Sequence, residues 1–244
     1  MSAELLAPLI TAAFISAFLK GITGLGFSTI CLGLLASVID LKLAIPAVLV
    51  PSLSSNLLVM LEAGHFRATV CRFWPLYLAA LPALMAGLSL LVSVDGTSAR
   101  RALGVVLFVY GVWALANAEF SLERRTERWL NVPVGLVTGF VNGLTGSQVM
   151  PVLPYLLSLQ LEKNVFVQAI NISFTLSSLV MLAGLAVVGL LDLPLLGASA
   201  LGVVPVALGI ALGGRVRRRL AEATFRKVVL VLLVCLGLNL ILRG

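Results

Sequence analysis

Charge is scarce in this chain, and little of it stands where chemistry would need it. Of 244 residues only 17 are Lys or Arg, ten are Asp or Glu and one is His. The carboxylates Glu4, Asp40, Glu62, Asp95, Glu119, Glu123, Glu127, Glu162, Asp192 and Glu222 all fall at or near the ends of apolar stretches. No acid is therefore in place for a proton relay through the middle of a membrane. His65 stands beside Arg67 at a turn and reads as a solvated surface residue. Cys31, Cys71 and Cys235 are odd in number, lie inside apolar stretches and show no Cys-x-x-Cys or Cys/His spacing, so packing is their expected role. Metal sites, P-loops and hydrolase triads have no constellation here, and there is no room for an ATPase domain. The expectation is a protein that is not an enzyme and has no cofactor.

What the chain does have is hydrophobic residues, at 60%, with 11% charged and a mean hydropathy of +1.13. That composition cannot keep its apolar surface from water as a soluble domain. It predicts one integral membrane domain over residues 1–244. The opening MSAELLAPLI carries an acid where a secretory leader would carry bases, so the first apolar stretch is expected to be retained. A net charge of +7 would suggest nucleic acid in a soluble protein. Here most bases lie in connectors between spans, where lipid headgroups and insertion rules account for them.

Apolar segments run at about 5–39, 43–63, 73–94, 102–118, 131–160, 165–191, 193–213 and 228–242. A span needs about 20 residues, so the first and fifth are too long for one crossing and too short for two. Each has a glycine-and-threonine knot near its centre: FLKGITGLGFSTICLGLL from Phe18 and FVNGLTGSQVMPVLPYLL from Phe140. A re-entrant or broken helical hairpin resolves both lengths. Eight simple spans are the alternative. Two hairpins with six spans place Arg67, Arg72, Arg124, Arg125, Arg128, Lys163, Arg215, Arg217, Arg218, Arg219, Arg226 and Lys227 on one face. Only Lys42, Arg100, Arg101 and Arg243 remain for the other, with Lys20 inside the membrane. Eight crossings divide the bases ten against six. The hairpin arrangement follows the positive-inside rule better, with the RVRRRL connector cytoplasmic and both termini outside.

The knots lie 122 residues apart, half the chain, and this offset pairs Gly21 with Gly143, Thr23 with Thr145, Gly24 with Gly146 and Asp40 with Glu162. An internal duplication follows, with repeats at about 1–122 and 123–244. Each is one hairpin plus three transmembrane helices, an odd number of crossings, so the second copy is inverted. The fold class expected is an all-α polytopic membrane protein of two inverted repeats. Inverted repeats belong to transporters with one site between two gates; channels use them too.

These motifs resemble the sulfite exporter TauE/SafE family, small duplicated inner-membrane proteins with a glycine-rich motif in each half, often followed by proline. The match is best at Gly143-Leu144-Thr145-Gly146 with Pro151 following, while the first copy, Gly21 to Gly26, has no proline at the aligned place. The resemblance implies transport of small sulfur-containing or organic anions, such as sulfite, sulfonates and sulfoacetate-like carboxylates, by a multi-pass protein of the bacterial cell membrane. The partners it implies are a small anionic substrate and the lipid bilayer. Whether the chain forms a homo-oligomer stays open.

A glycine turn before a helix leaves N–H groups unpaired at the positive end of the helix dipole, which attracts an anion. Gly24 and Gly146 allow close backbone approach, and Thr23, Ser28, Thr29, Thr145, Ser147 and Gln148 offer donors. Each hydroxyl is equally compatible with a bond to a neighbouring carbonyl. Lys20 precedes the first knot far from either end of its segment, and its counterpart at the same offset is Asn142. An ammonium there wants an anion, unless it snorkels or faces a water-filled vestibule. Ser52, Ser55 and Asn56 share a helical face, as do Asn171, Thr175 and Ser178. Substrate binding and helix packing are both open to them. Pro46, Pro51, Pro75 and Pro82 mark kinks.

The substrate-binding residues expected are Lys20, Thr23, Gly24, Ser28, Asn56, Asn142, Thr145, Gly146, Ser147, Gln148 and Asn171. An elementary charge crossing 100 mV is worth about 2.3 kcal/mol, so an interior-negative potential expels anions without a coupling ion. An exporting carrier with alternating access is the first reading. An anion-selective channel is the second. An intramembrane enzyme or scaffold is third, since no nucleophile has a base or acid nearby.

Overall fold

The computed structural model describes residues 3–23, 26–116, 121–122, 124–191, 193–217 and 222–243. These residues form eleven helices and no strand: α1 (Ala3–Thr23), α2 (Phe27–Ala36), α3 (Leu41–Ala63), α4 (Phe66–Ser93), α5 (Gly96–Leu115), α6 (Arg124–Thr145), α7 (Val152–Ser158), α8 (Lys163–Val187), α9 (Leu193–Leu201), α10 (Val203–Arg217) and α11 (Glu222–Arg243). Five helical stretches are long and apolar enough to cross a bilayer, namely Leu41–Leu61, Phe66–Ser93, Gly96–Leu115, Lys163–Val187 and Ser199–Val216. The outer surface is greasy along their length, with Leu61, Leu78, Val187 and Val204 all exposed. In water such a surface would aggregate; against lipid it is the solvent-facing side. The protein is an all-α polytopic membrane protein.

Both long segments break at their knots. Helix α1 ends at Thr23 and α2 begins at Phe27; α6 ends at Thr145 and α7 begins at Val152. The arms are unequal, with 21 and ten residues in the first pair and 22 and seven in the second. At about 1.5 Å per residue the first arms measure roughly 31–33 Å and the second roughly 10–15 Å. The second pair folds back on itself. The Leu122 amide donates to the Ser158 carbonyl at 2.9 Å, and the Tyr155 hydroxyl donates to Glu127 O at 3.1 Å and Asn131 Oδ1 at 2.8 Å. The end of α7 thus lies beside the start of α6, as a re-entrant hairpin requires.

Two details differ from the sequence reading. Residues 193–213, expected as one ordinary span, are divided at Gly202, whose amide bonds Ser199 O at 2.9 Å while the Ser199 hydroxyl donates to Ala47 O at 2.6 Å. Helices α4 and α6 also start about two turns before their apolar stretches. This carries Arg72 and Glu127 into regular helix, where Nε meets Oε1 at 2.7 Å and Nη2 meets Oε2 at 2.8 Å. Two helix starts, those of α3 and α5, carry aspartate caps. Asp40 accepts from Lys42 N at 2.8 Å, and Asp95 accepts from the Ser98 amide and hydroxyl at 2.9 and 2.6 Å. Those Ser98 bonds hold the Asp95 carboxyl below its usual range.

Glycine sets how closely the helices approach. A Cβ on Gly135, Gly139 or Gly143 of α6 would stand 2.3, 2.0 or 2.1 Å from the carbonyl oxygens of Leu76, Ala80 and Leu84 on α4. The two helices therefore run parallel in van der Waals contact. Helix α1 runs parallel to α10 in the same way, with Gly213 against Phe18 O and Gly209 against Phe14 O. Helix α5 runs antiparallel to α11, Gly104 meeting Gly237 and Gly111 meeting Val234. Helices α3 and α8 complete the centre. The apolar core has two parts, one around α2, the first half of α3 and α5, the other around α7 and the first halves of α4 and α8.

Candidate functional site

Where the two apolar cores meet, the side chains are polar. Lys20, in the last turn of α1, is 4% exposed, and its ammonium donates to Ser55 Oγ and Asn56 Oδ1 of α3, both at 2.9 Å. The shared face of α3 that holds Ser52, Ser55 and Asn56 is buried and meets Lys20 directly. Among the described residues the sole ion pair is Arg72–Glu127, so Lys20 is a buried cation with neutral partners. Taking an ammonium out of water costs several kcal/mol that neutral partners return only in part.

Two adjoining cavities open beside it. One is lined by Lys20, Gly26, Phe27, Ser28, Thr29, Asn56, Gln148, Asn171 and Phe174. The other is lined by Ser28, Ser52, Asn142, Gly146 and Gln148 with Leu32, Ile45, Val48, Leu49 and Met181. Ser28 and Gln148 belong to both, so the two knots face one another. Each cavity leaves room for roughly a single water molecule. This is a closed site.

Its walls carry polar atoms without partners among the described residues: Thr29 Oγ1, Asn56 Nδ2, Gln148 Oε1 and both Nδ2 and Oδ1 of Asn142. Each such atom costs about 1–3 kcal/mol while it stays buried and unmade. Helix α2 adds its N-terminus. It starts behind Gly26, which is left-handed at φ 89 and supplies no side-chain cap, so the first amides of α2 look toward the first cavity with the dipole behind them. The second tip is built otherwise. Gly146 is left-handed at φ 72, residues 147–150 are irregular, and the Met150–Pro151 bond is cis.

Of the residues singled out from the sequence, Lys20, Ser28, Asn56, Asn142, Gly146, Gln148 and Asn171 line these cavities. Gln148 donates to Ser178 Oγ at 2.9 Å, and Ser28 bonds Ser52. Asn171 turns its amide nitrogen to Val167 O at 2.8 Å. Thr145 serves its own backbone, donating to Val141 O at 2.7 Å and accepting from Ser147 N at 3.2 Å. Ser147 is fully buried with an unpartnered hydroxyl but lines neither cavity. Gly24 lies outside the described residues, as does the Thr23 side chain. Phe27 and Phe174 escaped the sequence reading; the signal for Phe174 is an aromatic ring inside the polar run NISFTLSS.

Gly146 also brings the hairpins together. A Cβ there would meet Ile45 Cγ1 at 2.8 Å and Leu32 Cδ1 at 3.0 Å. Gly146→Ala should combine left-handed strain with this overpacking and lower stability by about 2 kcal/mol, read as a fall in the melting temperature of the purified protein. An unchanged melting temperature would mean the tip is not held this tightly.

A family model described as sulfite exporter TauE/SafE matches residues 9–240. No curated protein and no solved structure matches the chain.

Proposed function

The chain belongs to the sulfite exporter TauE/SafE family, and we propose that it is a secondary carrier exporting a small sulfur-containing or organic anion, bound where its two hairpin tips face each other. The family is one of membrane transporters, which sets an enzymatic role aside. The carrying observation is Lys20, a buried cation without a described carboxylate partner, set against cavities whose donors Asn56 Nδ2, Asn142 Nδ2 and Thr29 Oγ1 have no described acceptor. An oxyanion supplies what both lack. Lys20 provides the charge, the α2 amides and Ser28 provide donors, and Asn56 Nδ2, Asn142 Nδ2 and the second N–H of the Gln148 and Asn171 amides, whose first serves Ser178 and Val167, meet the remaining oxygens. Gly146 gives backbone approach, Thr145 and Ser147 shape the second tip, and Thr23 and Gly24 are assigned to the site from their motif alone.

We take the two halves, about 1–122 and 123–244, as inverted copies that alternate around this site. Exchanging the halves carries the α4–α6 contact onto α10–α1 and leaves α5–α11 and α3–α8 in place, which supports that reading. A site with room for about one water supports a carrier caught closed over a conducting pore. Export along an interior-negative potential in a bacterial inner membrane needs no coupling ion.

The test is thermal stabilisation of the purified protein in detergent by sulfite, sulfate, taurine, sulfoacetate, isethionate, simple carboxylates and chloride. A ligand that binds only the folded state raises its stability by about 2.7 kcal/mol at 100 times its Kd. Selective stabilisation by one sulfur oxyanion or carboxylate is expected. No response to any anion, in protein that is folded and monodisperse, would reject the site.

A further inference from the structure

Helix α6 carries a polar face of which the closed site uses only one end. Glu127, Asn131, Thr138, Asn142 and Thr145 follow one another at spacings of four, seven, four and three, so they form one stripe along the helix. Glu127, Asn131, Thr138 and Asn142 are all at least 95% buried. From Glu127 to Asn142 the stripe covers about 22 Å. At one end Asn142 lines the central cavity. At the other, Glu127 and Asn131 line an open cavity of about 860 Å³, together with Arg72, Arg128, Cys71, Trp74 and Pro75.

That outer cavity is cationic. Arg72 uses Nε and Nη2 on Glu127 and keeps further N–H donors, its side chain is 33% exposed, and Arg128 is exposed. Between the two cavities sits Thr138, 2% exposed, with its hydroxyl unpartnered. A threonine that served helix packing alone would turn its hydroxyl onto the carbonyl four residues back, as Thr145 does. Thr138 does not.

We propose that this face of α6 is the path of the anion between the central cavity and the Arg72–Arg128 vestibule, with Thr138 an anion-contacting residue between Asn131 and Asn142. The inference rests on the central cavity as the anion site and names the side from which that site is reached. The vestibule collects a small sulfur oxyanion or carboxylate on guanidinium groups, and Asn131, Thr138 and Asn142 hand it inward through hydrogen bonds in place of water. Wider parting of α7 and α8 from α6 would open the stripe.

The deciding experiment is flux of sulfite, and separately of isethionate, in proteoliposomes made with Thr138→Val and Thr138→Ser, alongside anion-dependent thermal stabilisation of the same proteins. The valine keeps the shape and removes a hydroxyl that has no partner, so folding should be undisturbed; should it fail to fold, Thr138→Ala puts the same question. Loss of one hydrogen bond to a charged ligand along the path should slow flux about tenfold, with stabilisation by sulfite retained and with flux restored in Thr138→Ser. Wild-type flux in Thr138→Val would overturn the path. Absence of anion stabilisation in the unaltered protein would count against the central site instead, and flux in the Thr138 variants would still decide the path.

Discussion

Lys20→Met should leave a folded protein that no longer responds to any anion. In the closed state the ammonium is met by Ser55 and Asn56, both neutral, at 2.9 Å. Removing one member of a buried charge pair costs about 3–5 kcal/mol, which lowers affinity roughly 150- to 4,000-fold once the anion is the other member. Transport should fall with it. The sign of the other effect makes the prediction sharp. Without anion, methionine replaces a desolvated charge by an apolar chain of similar length, a change that is often neutral or stabilising, offset by the bonds lost at Ser55 and Asn56. The variant should therefore melt at or near the wild-type temperature in anion-free buffer and show no upward shift with sulfite. A large fall in melting temperature without anion would make Lys20 a structural tie between α1 and α3. An intact anion shift would remove it from the site.

Most of the architecture was legible because the signals that carry it are local. Segment lengths counted against the bilayer, together with the knots, located both helix breaks to within a few residues. Gly146, singled out from its motif, is left-handed, while in the first knot the described left-handed residue is Gly26, two residues beyond the Gly24 that the repeat offset picked. The break at Gly202 was not legible. Leu193 to Leu212 has ordinary length and composition, and what divides it is a contact 152 residues away, the Ser199 hydroxyl on Ala47 O.

The site was legible by residue type more than by role. Polar side chains amid apolar ones are rare enough that Lys20, Asn56, Gln148 and Asn171 stand out from the sequence alone. Which hydroxyl faces a cavity and which faces its own helix depends on rotamers that no spacing encodes. Thr145 and Thr138 sit seven residues apart on the same stripe, yet one hydroxyl donates to its own helix and the other is unpartnered. Asn131 and Thr138 were passed over for a different reason: each is a lone polar residue inside the apolar stretch 131–160 and outside its glycine-and-threonine knot. Glu127, four residues before that stretch, reads from the sequence as an end carboxylate, although helix α6 carries it into a buried ion pair.

Gly139→Ala should be strongly destabilising although alanine is the better helix former by about 1 kcal/mol. The new Cβ would lie 2.0 Å from the Ala80 carbonyl oxygen and 2.8 Å from its carbonyl carbon and Cα. These are backbone atoms, so no rotamer change relieves the contact. Helices α4 and α6 would have to part by more than an ångström along an interface that Gly87, Gly135 and Gly143 keep equally close. Membrane helices gain their association from such close packing, and loss of it here should cost about 3 kcal/mol or more. In purified protein that appears as a large fall in melting temperature or as aggregation on size exclusion. Gly214→Ala in α10 is the counterpart, because a Cβ there meets nothing within 4 Å, and helix propensity alone should then act, in the stabilising direction. Opposite signs at the two glycines would confirm that backbone contact, not helix propensity, governs Gly139. Equal and small effects would mean α4 and α6 do not touch as described. The Arg72–Glu127 pair, which joins the same two helices at the vestibule, would then lose its frame.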